Sequence, residues 1–580
     1  MYLLRNCAGI VPDASSGQKR ANSTGLAEFA RLGEKHGLIL STILILSTLI
    51  DDRRDVMSTQ PLQPHQPREI ISYDPASGQE IGRAPLADAT DVRNAVKRAR
   101  EAQPEWARLS FRERARVILR AREIVLDQVD QISTLVSRET GKPPAEAISM
   151  EVVPTLDLMH YFARHTARLL RPTRIELGQY KWMGRTSRIV YKPLGVVGII
   201  APWNFPWATP LDEIVMALMA GNAVVVKPSE LTPLTALKIG EVFKEAELTK
   251  GILEIVTGDG STGAALVDAA VDKIIFTGSV ATGKRVAEAA ARHLTSVVLE
   301  LGGKDPMIVL EDAKLANAAR AAVWGAFCNS GQACASIERC YVHESIASKF
   351  IELVLTETRA LKQGNPQAPD VDVGAMTNER QLRVVEDHIS DAVTRGARVL
   401  AGGHSGKEKQ GWFHEPTVVT DVDHSMALMR DETFGPVLPI MTFESDDEAI
   451  RLANDSIYGL TASIFTSDLA RGRRVAEQIQ AGTVMINEVV YTHALAQTPW
   501  GGVKQSGYGR THGRLGLLEL VIPQHIHVNR VPAVPDVWWF RYSQQARVLF
   551  HSLAKRFTRE SLLQASLLLP QIIRRLFERR

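Results

Sequence analysis

From Ser187 onward the chain carries a series of short β-branched runs, "RIVYKP", "GVVGIIAPW", "NAVVVKPS", "ILEIVTG", "DKIIFTGS", "TSVVLEL" and "PMIVLE", interspersed with helical stretches. Runs that are apolar nearly throughout, rather than at alternate positions, have both faces covered. Helices on either side of a mainly parallel sheet meet that condition. A second alternating region follows from Ala335 to about Asn487, with "ERCYVHE", "ARVLAGG", "VLPIMTF", "ASIFTS" and "GTVMIN" as candidate strands. The fold class is therefore α/β, with two α/β units in series. Upstream, Thr90 to Gly141 is charged and has apolar residues at three- and four-residue steps, which predicts a pair of helices. No fixed-period repeat is visible, which argues against a solenoid.

In open α/β sheets ligands gather beyond the carboxyl ends of the strands, so residues just after the apolar runs are the first candidates for chemistry. After "GVVGIIA" comes "PWNFP", where Pro202 and Pro206 fix the backbone around Asn204. A functional amide and a plain turn asparagine are both open readings. After "NAVVVK" comes "PSE", ending in Glu230, an acid placed either to accept hydrogen bonds from a ribose diol or to favour a helix start. After "DKIIFT" comes "GSVATG", Gly278 to Gly283, whose amides at a helix start suit a diphosphate. This turn is neither a P-loop nor a G-x-G-x-x-G fingerprint. Glu300 ends the strand in "VVLELGGK". Desolvation there would raise its pKa towards the range of a general base, whereas a solvated strand-end acid would do nothing chemical.

Three of the four cysteines lie in "FCNSGQACASIERC", Phe327 to Cys340, six residues apart. On a helix, steps of six turn about 240°, so Cys328, Cys334 and Cys340 diverge. On a strand, neighbours would sit roughly 20 Å apart, beyond the reach of one ion. No C-x-x-C or His partner spacing occurs nearby, and no metal site is expected. Four cysteines in 580 residues are too few for a disulfide scaffold and point to a reducing, cytoplasmic setting. One functional thiol among buried structural ones survives. Cys334 follows the turn formers "NSGQA", although an inert buried cysteine has the same local pattern.

Taken together, "PWNFP", "KPSE", "FTGSVATG", "LELGGK", "GQAC", "ETFGPV" and "PWGGVKQSGYGR" resemble the aldehyde dehydrogenase superfamily in order and approximate spacing, from Glu69 to Arg530. The resemblance implies Cys334 as nucleophile, Glu300 as general base and Asn204 as oxyanion donor. It implies Lys227 and Glu230 at the adenosine ribose, Gly278 to Gly283 at the diphosphate, and Glu432 with Phe434 at the nicotinamide ribose and ring. Trp203, Ser229, Ser279 and Leu301 complete the implied cofactor-binding set. Asp431 departs from the glutamate common there, and Ala333 and Ala335 flank the nucleophile. The implied reaction oxidises an aldehyde through a thiohemiacetal and a thioester, with Glu300 favouring hydrolysis over transfer to coenzyme A. A carboxylate at Glu230 would repel a 2′-phosphate, so NAD is expected, with NADP as the alternative. "TLDLMHYFARH" and "EVVYTHALAQTPW" are expected to line the substrate tunnel, which favours a hydrophobic aldehyde over a semialdehyde.

The same resemblance implies the aldehyde dehydrogenase fold. A Rossmann-like NAD-binding domain would span 67–300, with an oligomerisation arm near 180–192. A catalytic domain would span 301–487, and 488–530 would return to the first domain and add an arm strand. A homodimer or homotetramer would form through the strands near Arg188 and "VIPQHIHVN".

The ends lie outside this scheme. In residues 1–66, "LILSTILILSTLI", Leu38 to Ile50, is thirteen uncharged residues, short of the roughly 20 a spanning helix needs. It reads as a membrane-associated lead, as a docked helix, or as sequence upstream of a true start at Met57. From Arg541 to Arg580 nine Lys or Arg face two acids, an excess of +7 that leaves −4 for the rest of a chain whose formal charge is +3. That balance gives no signal for nucleic acid. Residues 531–580 read as a basic amphipathic extension: in "IIRRLFERR", Ile572, Ile573, Leu576 and Phe577 share one face and the arginines mostly take the other. Such a helix suits an anionic bilayer or packs on the enzyme, and with "WWFRY" the tail resembles a plant and fungal subgroup with membrane-associated ends. A catalytically idle scaffold is the competing functional class, which the retained Cys334, Glu300 and Asn204 oppose.

Overall fold

The near-continuous apolar runs become the centres of two sheets. The computed structural model describes residues 69–406, 410–556, 563 and 566–577, all within one unit, Pro67–Arg580. The first sheet has six strands in the order Gly507–Tyr508, Ser296–Glu300, Lys273–Thr277, Val196–Ile200, Ala223–Lys227, Leu253–Ile255. It is parallel except for the antiparallel edge pair Gly507↔Glu300 and Tyr508↔Leu299. Every residue of Val196–Ile200 and Ala223–Lys227 is buried, which is why those strands read as unbroken apolar runs.

The second sheet has seven strands in the order Arg398–Ala401, Thr417–Thr420, Val437–Phe443, Ile337–His343, Asp305–Val309, Thr461–Phe465, Thr483–Ile486. "PMIVLE" belongs here, although in sequence it continues the first series. Residues 301–304 alone separate Asp305–Val309 from Ser296–Glu300. A parallel neighbour needs a crossover of about a dozen residues or more, so the chain steps into the other sheet instead. The glycines of "LELGGK" lie at that step.

A third, antiparallel sheet joins Thr173–Ile175, Arg185–Pro193 and Val521–Asn529. The hairpin Glu69–Tyr73/Glu80–Pro85 precedes everything else described. Between Thr90 and Gly141 the expected pair of helices is instead three: Ala89–Arg108, Phe111–Asp127 and Val129–Thr140. The first break carries a capping box, in which the Ser110 and Glu113 side chains each accept from the other's backbone N–H. The second falls at Gln128, where neither Gly nor Pro marks it.

The C-terminal extension divides its apolar face. Val537, Leu549, Leu553 and Leu568 form a small core with Ile572 and Leu576 against it, whereas Ile573 and Phe577 are exposed. Arg575, expected on the solvated face, is buried and donates to the carbonyls of Trp539 and Arg541. Satisfying carbonyls of the 537–542 turn is what draws it inward. Leu38–Ile50 and Met57 lie outside the described residues. Among the described residues no helix is long and apolar enough to cross a membrane.

Arg339, on Ile337–His343, is the largest buried cationic side chain of the second sheet. Its Nε donates to the Lys304 carbonyl at 2.8 Å, Nη1 to Leu452 at 3.2 Å and Nη2 to Ala453 at 2.9 Å. Two of those carbonyls belong to the last turn of helix Asp446–Asn454, where backbone acceptors lack helical partners. Arg339→Met strips the Lys304 and Ala453 carbonyls of this donor, while the Leu452 carbonyl keeps the Asp455 N–H and the Tyr341 hydroxyl. We expect a loss of at least about 3 kcal/mol, read as a lower urea midpoint; an unchanged midpoint would show that the guanidinium is dispensable.

Candidate active site

Between the ends of the two sheets lies a cavity of about 530 Å³. Asn204, Glu300 and Cys334 line it together, and so do Trp203, Gly278, Ser279, Leu301, Glu432 and Phe434. Four of the expected site residues stand apart from its wall. Lys227 and Ser229 are buried at the end of Ala223–Lys227, and Glu230 is exposed beside them, 3.3 Å from Lys227 Nζ. Gly283 lies behind the wall, where a Cβ would come within 2.6 Å of Leu301 Cδ2.

The nucleophile candidate is presented by a contorted turn. Asn329, Ser330 and Gly331 take left-handed φ values of 51°, 54° and 71° in succession. For the two non-glycine residues this is uncommon and needs local support. Asn329 Nδ2 donates to the carbonyls of Asn204 and Gln332, both at 3.0 Å, and Ser330 Oγ to that of Gly374 at 3.1 Å. The Asn329 N–H donates to the half-buried carboxyl of Glu146, whose pKa desolvation lifts to about 7. Cys334, two residues past Gln332, is partly exposed, while Cys328 and Cys340 are buried. Burial, then the carboxyls of Asp305, Glu300 and Glu432, hold the Cys334 thiol well above its ordinary pKa. Gly303 makes the close approach possible: a Cβ there would lie 2.3 Å from the Cys334 carbonyl oxygen.

Asn204 is fixed from two sides. Its Nδ2 donates to the Gln332 carbonyl at 3.0 Å, which spends one amide hydrogen and aligns the other. Its own carbonyl accepts from Lys142 Nζ at 2.7 Å. Lys142 pairs with Glu151 at 2.5 Å, both side chains fully inaccessible, and Glu151 accepts from the N–H groups of Trp207 and Ala208.

Glu300 is buried, and neither carboxyl oxygen has a hydrogen-bond partner. Burial lifts its pKa to about 8, against a smaller opposing pull from Arg510. Glu213, also buried in the cavity wall, is raised well above its usual range by burial and by Glu300 itself. The Glu432 carboxyl accepts from the Gly303 N–H at 3.0 Å, and the Trp203 and Phe434 rings meet edge to face at 5.4 Å. A buried pair holds this turn: Lys304 Nζ lies 2.6 Å from Glu338 Oε2. Glu338 also accepts from the N–H groups of Thr433 and Phe434 at 2.7 and 2.8 Å.

Of the two expected tunnel segments, 488–500 lines the cavity through Val490, Tyr491, His493, Ala494 and Trp500. Residues 155–165 do not. Their apolar side chains, Leu158, Met159 and Phe162, face the core, where the helix packs on Phe111–Asp127 and Ala208–Ala220. The cavity takes Ser149, Met150 and Pro154 from just upstream. Lys142, Glu146, Glu151, Glu213 and Glu338 carry no motif that marks them in the sequence. A charged residue in an ordinary helical or strand pattern gives no sign that it is buried; Glu338, four residues past Cys334 in an apolar run, carried the strongest hint.

Residues 62–526 match the model of the aldehyde dehydrogenase family. The chain is similar to the 4,4′-diapolycopene aldehyde oxidase of a Methylomonas species, 40% identical over 82% of this chain and 88% of that protein. It is similar to a Mycobacterium ulcerans protein provisionally named succinate-semialdehyde dehydrogenase (NADP+) 2, 40% identical over 80% of this chain and 90% of that one. The crystal structure of an NAD-dependent aldehyde dehydrogenase from Sinorhizobium meliloti superposes with a TM-score of 0.78 at 36% identity, over 82% of this chain and 93% of that one. All three sources are bacterial, which gives no support to the plant and fungal subgroup.

Lys304→Met would leave Glu338 buried without its counter-charge. Breaking such a pair from one side costs about 3–5 kcal/mol. We expect a lower urea midpoint and a weaker grip on the Phe434 turn, read as faster limited proteolysis near residue 434; wild-type values for both would remove the clamp.

Proposed function

The chain belongs to the aldehyde dehydrogenase family, and on that premise we propose that Cys334, Asn204 and Glu300 carry the oxidation of a hydrophobic aldehyde to its carboxylic acid. The observation that carries this reading is their meeting in one cavity whose other walls are apolar and aromatic: Met150, Pro154, Phe205, Trp324, Leu460 and Trp500. Among the described residues no lysine or arginine lines it.

Cys334 Sγ attacks the aldehyde carbon. Because the thiol is held protonated, its proton must leave as attack begins; of the carboxyls that act on it, Asp305 and Glu432 are already hydrogen-bonded, and Glu300, with a pKa of about 8 and both oxygens unpartnered, is the one open to take it. The free N–H of Asn204 donates to the oxyanion that forms; a donor of this kind lowers the barrier by about 3–4 kcal/mol. When bound, the nicotinamide supplies the hydride acceptor. Cys334 then carries the acyl group as a thioester; Glu300, once it has released the thiol proton to solvent, takes a proton from the attacking water, and returns it to the Cys334 thiolate that leaves as the acid forms.

The residues present fit a nicotinamide dinucleotide. Helix Val280–Ala291 opens at Ser279, whose hydroxyl caps it, and its first-turn amides suit the diphosphate. Gly283 lets Leu301 lie against that helix beside the cavity. Lys227 and Glu230 form a ribose-binding pair, and the Glu230 carboxylate disfavours a 2′-phosphate, so NAD is the cofactor, with NADP use as the alternative that the mycobacterial relative's name brings. Sheet membership supports a nucleotide-binding part, 67–300 completed by 488–530, and a catalytic part, 301–487. The exposed outer residues of Val521–Asn529, paired to Arg185–Pro193, suit a homodimer or homotetramer. A second substrate reading, a semialdehyde, is favoured by the mycobacterial relative's name.

NADH formation over a panel of aliphatic, aromatic and carboxylated aldehydes tests the assignment. We expect turnover without coenzyme A, the highest kcat/KM for aliphatic or aromatic members, and none in Cys334→Ala. The wild-type rate should rise from pH 7 to 9 as Glu300 loses its proton through a pKa of about 8. Glu300→Gln should be slower by about 100-fold or more and lack that rise. A requirement for coenzyme A, or a preference for carboxylated aldehydes, would overturn the hydrolytic or the hydrophobic part respectively.

The extension is proposed to rest on a membrane surface. Trp539, Phe540, Tyr542 and Ile573 are exposed beside a run of arginines, a combination that suits the headgroup region of an anionic bilayer. The enzyme should sediment with phosphatidylserine vesicles, and Trp539→Ser/Phe540→Ser or removal of residues 531–580 should abolish it. Equal sedimentation of all three proteins would sink the idea.

A further inference from the structure

We infer that Asp212, His493 and His512 form a three-ligand site for a divalent cation of the zinc type in the wall of the substrate cavity. The inference rests on the reading of that cavity as the aldehyde's. One ligand atom from each residue lies within 4.8 Å of the others. His512 Nε2 and Asp212 Oδ2 are already 3.2 Å apart, and tetrahedral zinc with bonds near 2.0–2.1 Å needs ligands roughly 3.4 Å apart. With the ligand atoms within 4.8 Å of one another, a ring displacement of at most roughly 1.4 Å at His493 closes the set.

Three further observations favour a ligand over a mere hydrogen bond. Asp212 is 2% exposed, yet its Oδ1 has no partner. A buried acceptor left unsatisfied is costly, and a cation removes that cost. His512 takes a left-handed backbone, φ 58°, unusual for a non-glycine residue, and its Nδ1 lies 3.1 Å from Thr511 Oγ1. A hydrogen bond from one ring nitrogen to a neighbouring hydroxyl steers the other nitrogen towards a metal. Finally, Asp212, Glu213 and Glu300 put three buried carboxyl groups into a wall that holds no cationic side chain among the described residues.

The ligands come from separate segments: helix Ala208–Ala220, the turn Tyr491–Ala494 and the start of helix Gly513–Glu519. No motif spacing reveals them. Two imidazoles and one carboxylate leave the fourth tetrahedral position open, here towards the cavity. A bound cation there would compete with the aldehyde.

The test is equilibrium dialysis of the full chain against zinc chloride after chelator treatment, in a Cys334→Ala background so that the nucleophile binds none. One zinc per chain is expected, and cobalt(II) should give the visible absorption of a tetrahedral site. His493→Gln and His512→Asn should each lower affinity at least about 100-fold, and Thr511→Val about 10-fold. His493 is half-buried on a short turn in the cavity wall, and a wild-type melting midpoint of His493→Gln in the absence of metal would verify that the variant folds. No zinc retained at tenfold excess, or equal retention by every variant, overturns the site. In the wild type, zinc should raise the apparent KM for aldehyde. Binding with the stated ligand dependence but no competition keeps the site and removes the reading of the cavity as the aldehyde's.

Discussion

The buried Lys304–Glu338 pair is the interaction on which the rest of the site depends. Lys304 ends the "LELGGK" step between the sheets, and Glu338 stands on the strand that follows Cys334. Two charges withdrawn from water hold their place only when their remaining hydrogen-bonding capacity is met. The N–H groups of Thr433 and Phe434 meet it for Glu338, and the Thr433 hydroxyl for Lys304. Three chain segments distant in sequence are thus bound to one another by a single electrostatic requirement.

Around that clamp, the chemistry rests on what has been left unsatisfied. Glu300 has no hydrogen-bond partner for either oxygen, and Asn204 has one amide hydrogen committed and one spare. Adjacent side chains are otherwise held: Gln332 and Glu151 use both ends of their side chains, and Asn329 its amide nitrogen. Rigid surroundings with a few open valences describe preorganisation in structural terms.

The sheets were legible because their strands are buried on both faces, so apolar runs such as Val196–Ile200 have no other explanation. Residues at strand ends were legible for the same reason: Glu300 and Asn204 break an apolar pattern where an α/β sheet places its ligands. Helix boundaries were less so. The break at Gln128 depends on a local φ change that carries no Gly or Pro signature. Hidden charges were not legible at all. Lys142, Glu151 and Arg575 have the composition of surface residues, and only the tertiary arrangement makes them interior ones. The histidines beside Asp212 show the same limit, since contact between residues 212 and 512 leaves no trace in spacing.

The antiparallel edge pairing of Gly507–Tyr508 with Leu299–Glu300 also orders events during synthesis. The strand that carries Glu300 is made more than two hundred residues before its edge partner. Until that partner emerges from the ribosome, the Glu300 strand is an open sheet edge exposed to water. Burial of the Glu300 carboxyl thus depends in part on a segment that is added late in synthesis.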